Sequence, residues 1–154
     1  MNFKLRKWEQ SDVESLAFYA NNKNISQNLT DRFPHPYTKE NAKSFIEFTQ
    51  TNKLNHIFAI EVNGEAVGGI GLHGQTGIYR KNFEIGYWLA EKYWGNGIVS
   101  KAIKQLVKYG FENTSINRIF AKIYGRNIAS QKVIQKAGFV FEAKFEKSVY
   151  KNEE

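Results

Sequence analysis

No cysteine occurs among the 154 residues, which excludes disulfides, a thiolate metal site and a cysteine nucleophile. No apolar run approaches the length of a membrane span, and Met1-Asn2-Phe3-Lys4 leads into no apolar signal core. A cytoplasmic protein is therefore expected. Acidic residues are the scarcer charge: 15 Asp and Glu against 22 Lys and Arg leave a net charge of +7. Such an excess favours an anionic partner in general terms. The basic residues are scattered rather than bunched into an arm, and no groove-reading motif or aromatic–basic repeat occurs, so direct nucleic-acid recognition is not expected. The chain has no Gly-x-Ser-x-Gly elbow and no P-loop lysine pattern. Its three histidines, His35, His56 and His73, lack metal-ligand spacing, so no metal is expected and each reads as a surface or loop residue.

Hydrophobic residues make up 42% of the chain and aromatics 15%, enough to build a core and too much for a disordered chain. The length suits one domain, residues 1–154, without repeat, linker or low-complexity segment. Phe3, Leu5 and Trp8 begin a first strand, and Ser11 with Glu14 offers a capping box for a helix to about Asn21. Residues 22–36 are polar and loop-like. Thr38 caps a second helix with Ala42, Phe45 and Ile46 inward. Residues 57–62 and 66–72 flank Asn63-Gly64 as a hairpin. Residues 83–90 and 118–124 read as strands, the latter with Ile119, Ala121 and Ile123 on one face, and a last strand is expected over 139–145.

Two segments carry the chemistry. In Tyr93-Trp94-Gly95-Asn96-Gly97-Ile98-Val99-Ser100, two glycines lie between a strand and a helix whose stripe is Val99, Ile103, Leu106, Val107 and Phe111. A helix N-terminus has unpaired N–H groups and the positive end of the macrodipole, and glycines let a ligand approach the backbone, so this junction suits a phosphate. The third glycine of a dinucleotide fingerprint would fall at Ser100, which disfavours dinucleotide binding. Downstream, Asn127 is an N-cap, Val133, Ile134 and Ala137 make a stripe, and Gly138 is a left-handed stop.

Glu84-Ile85-Gly86-Tyr87-Trp88-Leu89, then Tyr93-Trp94-Gly95-Asn96-Gly97, a helix, a strand, and Asn127 and Ser130 with Lys136-Ala137-Gly138-Phe139 behind them, closely resemble the GNAT N-acetyltransferase superfamily. Within it the chain is similar to the Rim-type branch, which includes ribosomal-protein N-terminal acetyltransferases. Leu5-Arg6-Lys7-Trp8 and Pro34-His35-Pro36-Tyr37-Thr38 extend the likeness across nearly the whole chain.

The resemblance implies an α/β (α+β) domain: a mixed, mostly antiparallel central sheet, helices on both faces, and two parallel central strands that splay to admit pantetheine. It implies acetyl-CoA as co-substrate and direct transfer of acetyl to a primary amine, a protein N-terminal α-amino group in the Rim-type case. A small amine, polyamine or antibiotic as acceptor, or a non-catalytic acetyl-CoA-binding module, are the alternatives. By resemblance the backbone of Trp94, Gly95, Asn96, Gly97, Ile98, Val99 and Ser100 holds pyrophosphate, an N–H of Trp88 or Leu89 meets the oxyanion, Asn127 reaches the pantetheine arm, and Arg126 or Lys132 lies near the nucleotide phosphates. Glu84 is the candidate base, Ser130 the proton donor to the thiolate and Tyr124 the alternative acid; Phe33, His35 and Tyr37 line the acceptor entrance. Trp94 and Val99 stand where the superfamily usually has Gln or Arg and Gly or Ala, but neither change removes a backbone N–H. Relatives of this kind add a further strand that turns back and pairs, whereas this sequence ends Lys151-Asn152-Glu153-Glu154. An uncovered edge is expected, filled in a homodimer or left by truncation.

Overall fold

Asn63 and Gly64 take φ of 50° and 84°, the left-handed pair that a two-residue hairpin turn requires. They join β2 (His56–Val62) to β3 (Glu65–Gly74). The computed structural model describes residues 1–154, and these strands form one sheet with β1 (Lys4–Arg6), β4 (Asn82–Leu89) and β5 (Arg118–Phe120) in the order β1-β2-β3-β4-β5. Every pairing is antiparallel except β4 with β5. The mixed sheet and the parallel pairing of β4 with β5 are as expected, but β5 is the edge strand, so the parallel pair lies at one side of the sheet rather than at its centre.

Alternation along the strands sends side chains to two cores. Ile60, Val67, Ile70, Leu72, Ile85 and Leu89 pack under α4 (Ile98–Asn113), whose Ile98, Ala102, Ile103 and Leu106 are buried, together with Ile134 of α5 (Ile128–Lys136). The other face carries Trp8, Ala59 and Trp88 against Leu16 and Ala20 of α1 (Val13–Ala20), Ile25 of α2 (Lys23–Ser26), and Ala42 and Ile46 of α3 (Lys39–Thr51). A Cβ on Gly69 would stand 2.7 Å from the Trp88 Nε1, so a glycine there lets the indole lie on the sheet.

Several expectations are corrected. The first helix is capped by the Glu9–Asp12 turn, not by Ser11 and Glu14, because Arg6 holds the Asp12 carboxylate through two 2.8 Å bonds while the Glu9 N–H donates to it at 2.9 Å. Residues 22–36 contain the short helix α2, capped by Asn22, whose Oδ1 accepts the Asn24 N–H at 2.8 Å. Phe111, assigned to the inward stripe of α4, is 48% exposed, and Gly110 takes the inward place. The strand expected over 118–124 stops at Phe120, and residues 139–145 form none: Phe141 and Phe145 are exposed and no strand lies outside β5. Alternating apolar residues make a strand only with a ladder to join.

The α4 core predicts a large cost for truncation. Ile103→Ala should lower stability by about 2–5 kcal/mol in urea unfolding, whereas Phe111→Ala on the same helix should change it by less than about 0.5 kcal/mol. Equal losses would contradict this assignment of the two faces.

Candidate functional site

The parallel ladder between β4 and β5 pairs Asn82 with Arg118, Phe83 with Ile119 and Glu84 with Phe120, then ends. β4 continues through Leu89 alone on that side. On its other side the Ala90 N–H donates to the Val67 carbonyl at 2.8 Å, with Trp88 opposite Gly69 and Leu89 opposite Gly68. Antiparallel ladders alternate, so the N–H groups of Glu84, Gly86 and Trp88 point into β3, and those of Tyr87 and Leu89 point into the gap. Of the two residues expected to offer an oxyanion donor, Trp88 has its N–H committed to the sheet. Leu89 has its N–H free, while its carbonyl accepts the Trp94 Nε1–H at 2.7 Å.

That last bond ties the glycine loop to the end of β4. The loop is braced further by Asn96, whose Nδ2 donates to the carbonyls of Tyr93 at 3.0 Å and Trp94 at 3.2 Å. Gly95 and Gly97 take φ of 79° and 73°, and Gly97 stands as N-cap of α4 without any side-chain cap. The Trp94 N–H is spent on the Glu91 carbonyl at 3.0 Å, which removes it from the expected donors. The N–H groups of Gly95, Asn96, Gly97, Ile98, Val99 and Ser100 have no acceptor in the protein. Ile98 is buried, and the Ser100 hydroxyl turns back to the Gly97 carbonyl at 3.2 Å, so each leaves only its backbone N–H open at the loop. Unpaired donors at the positive end of a sixteen-residue helix form an anion cradle.

Across the gap, α5 begins at Asn127, whose side chain accepts the Ser130 N–H at 3.2 Å and leaves its own NH₂ without a partner. Ser130 Oγ and the Tyr87 hydroxyl lie 2.5 Å apart, joining β4 to α5 beside the gap. Burial raises the Tyr87 phenol, an effect the Ser130 hydrogen bond only partly offsets, so Tyr87 keeps its proton. Tyr124 contributes no such contact: its carbonyl accepts from the Asn127 N–H and the Gln131 side chain, and its hydroxyl makes no hydrogen bond. Arg126 is engaged by the Gln27 carbonyl at 2.6 Å and by Glu154 at 3.0 Å, and Lys132 is exposed.

On the opposite face of β4, Phe33 packs against Tyr37 and Trp88, with ring centroids 5.1 and 5.7 Å apart. Burial pushes the Tyr37 phenol up to about 12, so it too stays protonated. His35 is exposed beside a surface depression of about 410 Å³ that also includes Lys23, Asp31 and Lys151. Glu84 is half-buried on this face and makes no hydrogen bond or ion pair, so the pairing with a lysine or arginine that a structural role would give it is absent. Its register partner on β3 is His73, also half-buried, a strand residue rather than the loop residue expected. Burial lowers the His73 pKa, Glu84 works against that, and Arg32 adds to it, so the ring is neutral at pH 7. Tyr87 and His73 are the residues sequence reasoning missed. Tyr87 stood in the quoted strand, and His73 became visible only with the β3–β4 register. No group of three or more His, Asp and Glu side chains is placed to hold a metal ion, and no helix is long and apolar enough to cross a membrane.

The family described as acetyltransferase (GNAT) domain matches residues 2–140. An uncharacterised N-acetyltransferase of Bacillus licheniformis, p20, is 29% identical over 139 residues, 88% of this chain and 77% of its own length. The ribosomal-protein-serine acetyltransferase of Escherichia coli (strain K12) is 32% identical over 73 residues, 47% of this chain and 41% of that protein. The chain spans about half the length of some curated relatives it matches, 49% of each of two Bacillus subtilis N-acetyltransferases. Among solved structures, a GNAT-family acetyltransferase from Bacillus anthracis superposes with TM-score 0.86 at 26% identity, covering 100% of this chain and 89% of that one.

The cradle predicts where a bare anion binds. Titration with inorganic pyrophosphate should shift the amide resonances of Gly95 to Ser100 before any others, while Trp94, already bonded, moves less. Shifts confined to exposed lysines would contradict the cradle.

Proposed function

The chain belongs to the GNAT acetyltransferase family, and on that premise we propose that it transfers acetyl from acetyl-CoA directly to a primary amine. The free N–H groups of residues 95–100, at the end of a gap whose wall carries the free Leu89 N–H, are the observation that carries the reading. The first set suits a pyrophosphate, and the gap suits an extended arm. Acetyl-CoA would supply the activated acyl group, so no protein nucleophile is needed, in keeping with a chain that lacks cysteine.

Each remaining task falls to a group of the chain. Leu89 N–H faces the position where negative charge develops on the carbonyl oxygen, a fixed dipole that needs no reorganisation. Trp94, through its bond to Leu89, sets the distance between that donor and the anion cradle, so cofactor binding and carbonyl placement are coupled. In this reading Ser130, backed by the protonated Tyr87, gives a proton to the departing sulfur, a role supported by the contact between the two hydroxyls. Glu84 lies unpaired on the face where Phe33, Tyr37 and Trp88 form an apolar wall, the side from which the amine enters. For the acceptor, the Rim-type likeness and the 32% identity to a ribosomal-protein-serine acetyltransferase support an N-terminal α-amino group of a ribosomal protein.

Gly97→Glu places a carboxylate in the cradle and an L side chain at a left-handed position, together weakening acetyl-CoA on the order of 100-fold in calorimetry. Glu84→Gln should leave that affinity unchanged and lower kcat/KM about 100-fold with a reactive amine. Unchanged affinity in the first variant would overturn the assignment of the cofactor site. Mass spectrometry of ribosomal extract incubated with the protein and labelled acetyl-CoA should show label on one protein N-terminus; label on small amines alone would move the acceptor class.

A further inference from the structure

Glu84 does not stand alone on its face. His73 is its cross-strand partner, and the next pair along is Gly71 with Gly86, followed by Gly69 with Trp88. The His73 ring lies over the glycine pair: its Nε2 is 3.4 Å from where a Gly71 Cβ would be and 3.5 Å from that of Gly86. From β2, the Ile57 side chain closes the same trough, 3.2 Å from the Gly71 Cβ position. An imidazole and a carboxylate therefore share a half-buried trough that runs to Trp88 and the aromatic wall, and neither makes a hydrogen bond or ion pair within the protein. Elsewhere this chain pairs half-buried charge carefully, as with Arg6, Asp12 and Glu61. Two adjacent titratable groups are thus left without a hydrogen-bond or ion-pair partner inside the protein.

We propose that the base of this enzyme is a His73–Glu84 couple, in which His73 takes the proton of the acceptor ammonium and Glu84 holds the imidazolium that forms. The proposal rests on the acetyltransferase reading and assigns its proton path. One proton passes from the ammonium to His73 and on to water. The freed lone pair forms the N–C bond, the C–S bond breaks, and Ser130, relayed by Tyr87, protonates the sulfur. The second proton lost by the nitrogen restores that relay. An imidazole is matched to this task because its working range lies nearer that of an α-amino group than a carboxylate's does. The charged groups that act on the ring are Glu84 on β4 and Arg32 on the segment between α2 and α3, of opposite effect; the β2 side chain beside it, Ile57, is apolar.

The test uses the full chain, acetyl-CoA and short peptides with Ser, Ala or Met N-termini, reading thiol release from pH 5 to 9. For the peptide giving the greatest release, kcat/KM should rise through an acidic limb with its midpoint below about 6.5, the ordinary histidine value. His73→Gln should lose that limb and about 100-fold in kcat/KM while keeping acetyl-CoA affinity. Independently of folding in that variant, the His73 Cε1–H resonance of the otherwise unaltered chain should titrate at lower pH in Glu84→Gln and at higher pH in Arg32→Ala. A His73→Gln protein with unaltered rate and limb, or a His73 titration indifferent to Glu84→Gln, would overturn the couple and leave the acetyltransferase reading standing. Failure of every peptide to release thiol from the unaltered chain, with acetyl-CoA unbound in calorimetry, would overturn both.

Discussion

The arrangement depends on a parallel ladder that stops early. Three residue pairs hold β4 to β5, and beyond Glu84 and Phe120 the strands have no further bonds to each other. Backbone groups of β4 left without a partner past the end of the short edge strand β5 are costly unless something else satisfies them. Here the consequence is a slot with hydrogen-bond donors on its wall, and every proposed role is defined by position relative to it. The Leu89 N–H lies on the slot because antiparallel alternation with β3 commits Trp88 the other way. The Ser130–Tyr87 contact lies beside it because α5 follows β5 directly and packs back against β4.

The two cores on either side give the slot two distinct environments. Toward α4 and α5, packing is dense and most polar groups order the backbone, Asn127 at its cap, Asn96 across the loop and Trp94 on Leu89, with the Ser130–Tyr87 pair beside the slot. Toward α1 and α3, the aromatic cluster of Phe33, Tyr37 and Trp88 gives way along β4 to Gly86 and then to the unpaired Glu84 and His73. In the proposed function, anion recognition falls to backbone dipoles, which cannot titrate, and proton transfer to side chains, which can. Such a division lets cofactor affinity stay constant across a pH range in which proton transfer changes.

Local chemistry was legible in the sequence. Asn63-Gly64 as a hairpin turn, Thr38 as the cap of α3, Asn127 as the cap of α5 and Gly97 at the start of α4 each depend on neighbours in sequence, and each is found as read. What depended on distant partners was not. The Ser11–Glu14 cap gave way to Asp12 because Arg6, on another strand, holds Asp12. Residues 139–145 alternate as a strand does but have no ladder, and Phe111 fits the helical period of α4 yet lies past the edge of its core. At the site, the glycine loop was read as an anion cradle, with one donor fewer because Glu91 takes the Trp94 N–H. The meaning of His73 comes from Glu84, a residue that it meets only through the register of β3 with β4 and that no sequence spacing reveals. Arg126, expected near nucleotide phosphates, is held by Gln27 and Glu154.

The central claim is that one molecule spans the slot and the cradle together, with its arm between β4 and β5. Residue-resolved amide hydrogen exchange with and without acetyl-CoA tests it most directly. Binding should slow exchange at Leu89 and across residues 95–100 in concert, and leave Trp88, already bonded in the sheet, unchanged. Protection at the loop without any at Leu89 would show that the slot is not occupied, and would contradict the account.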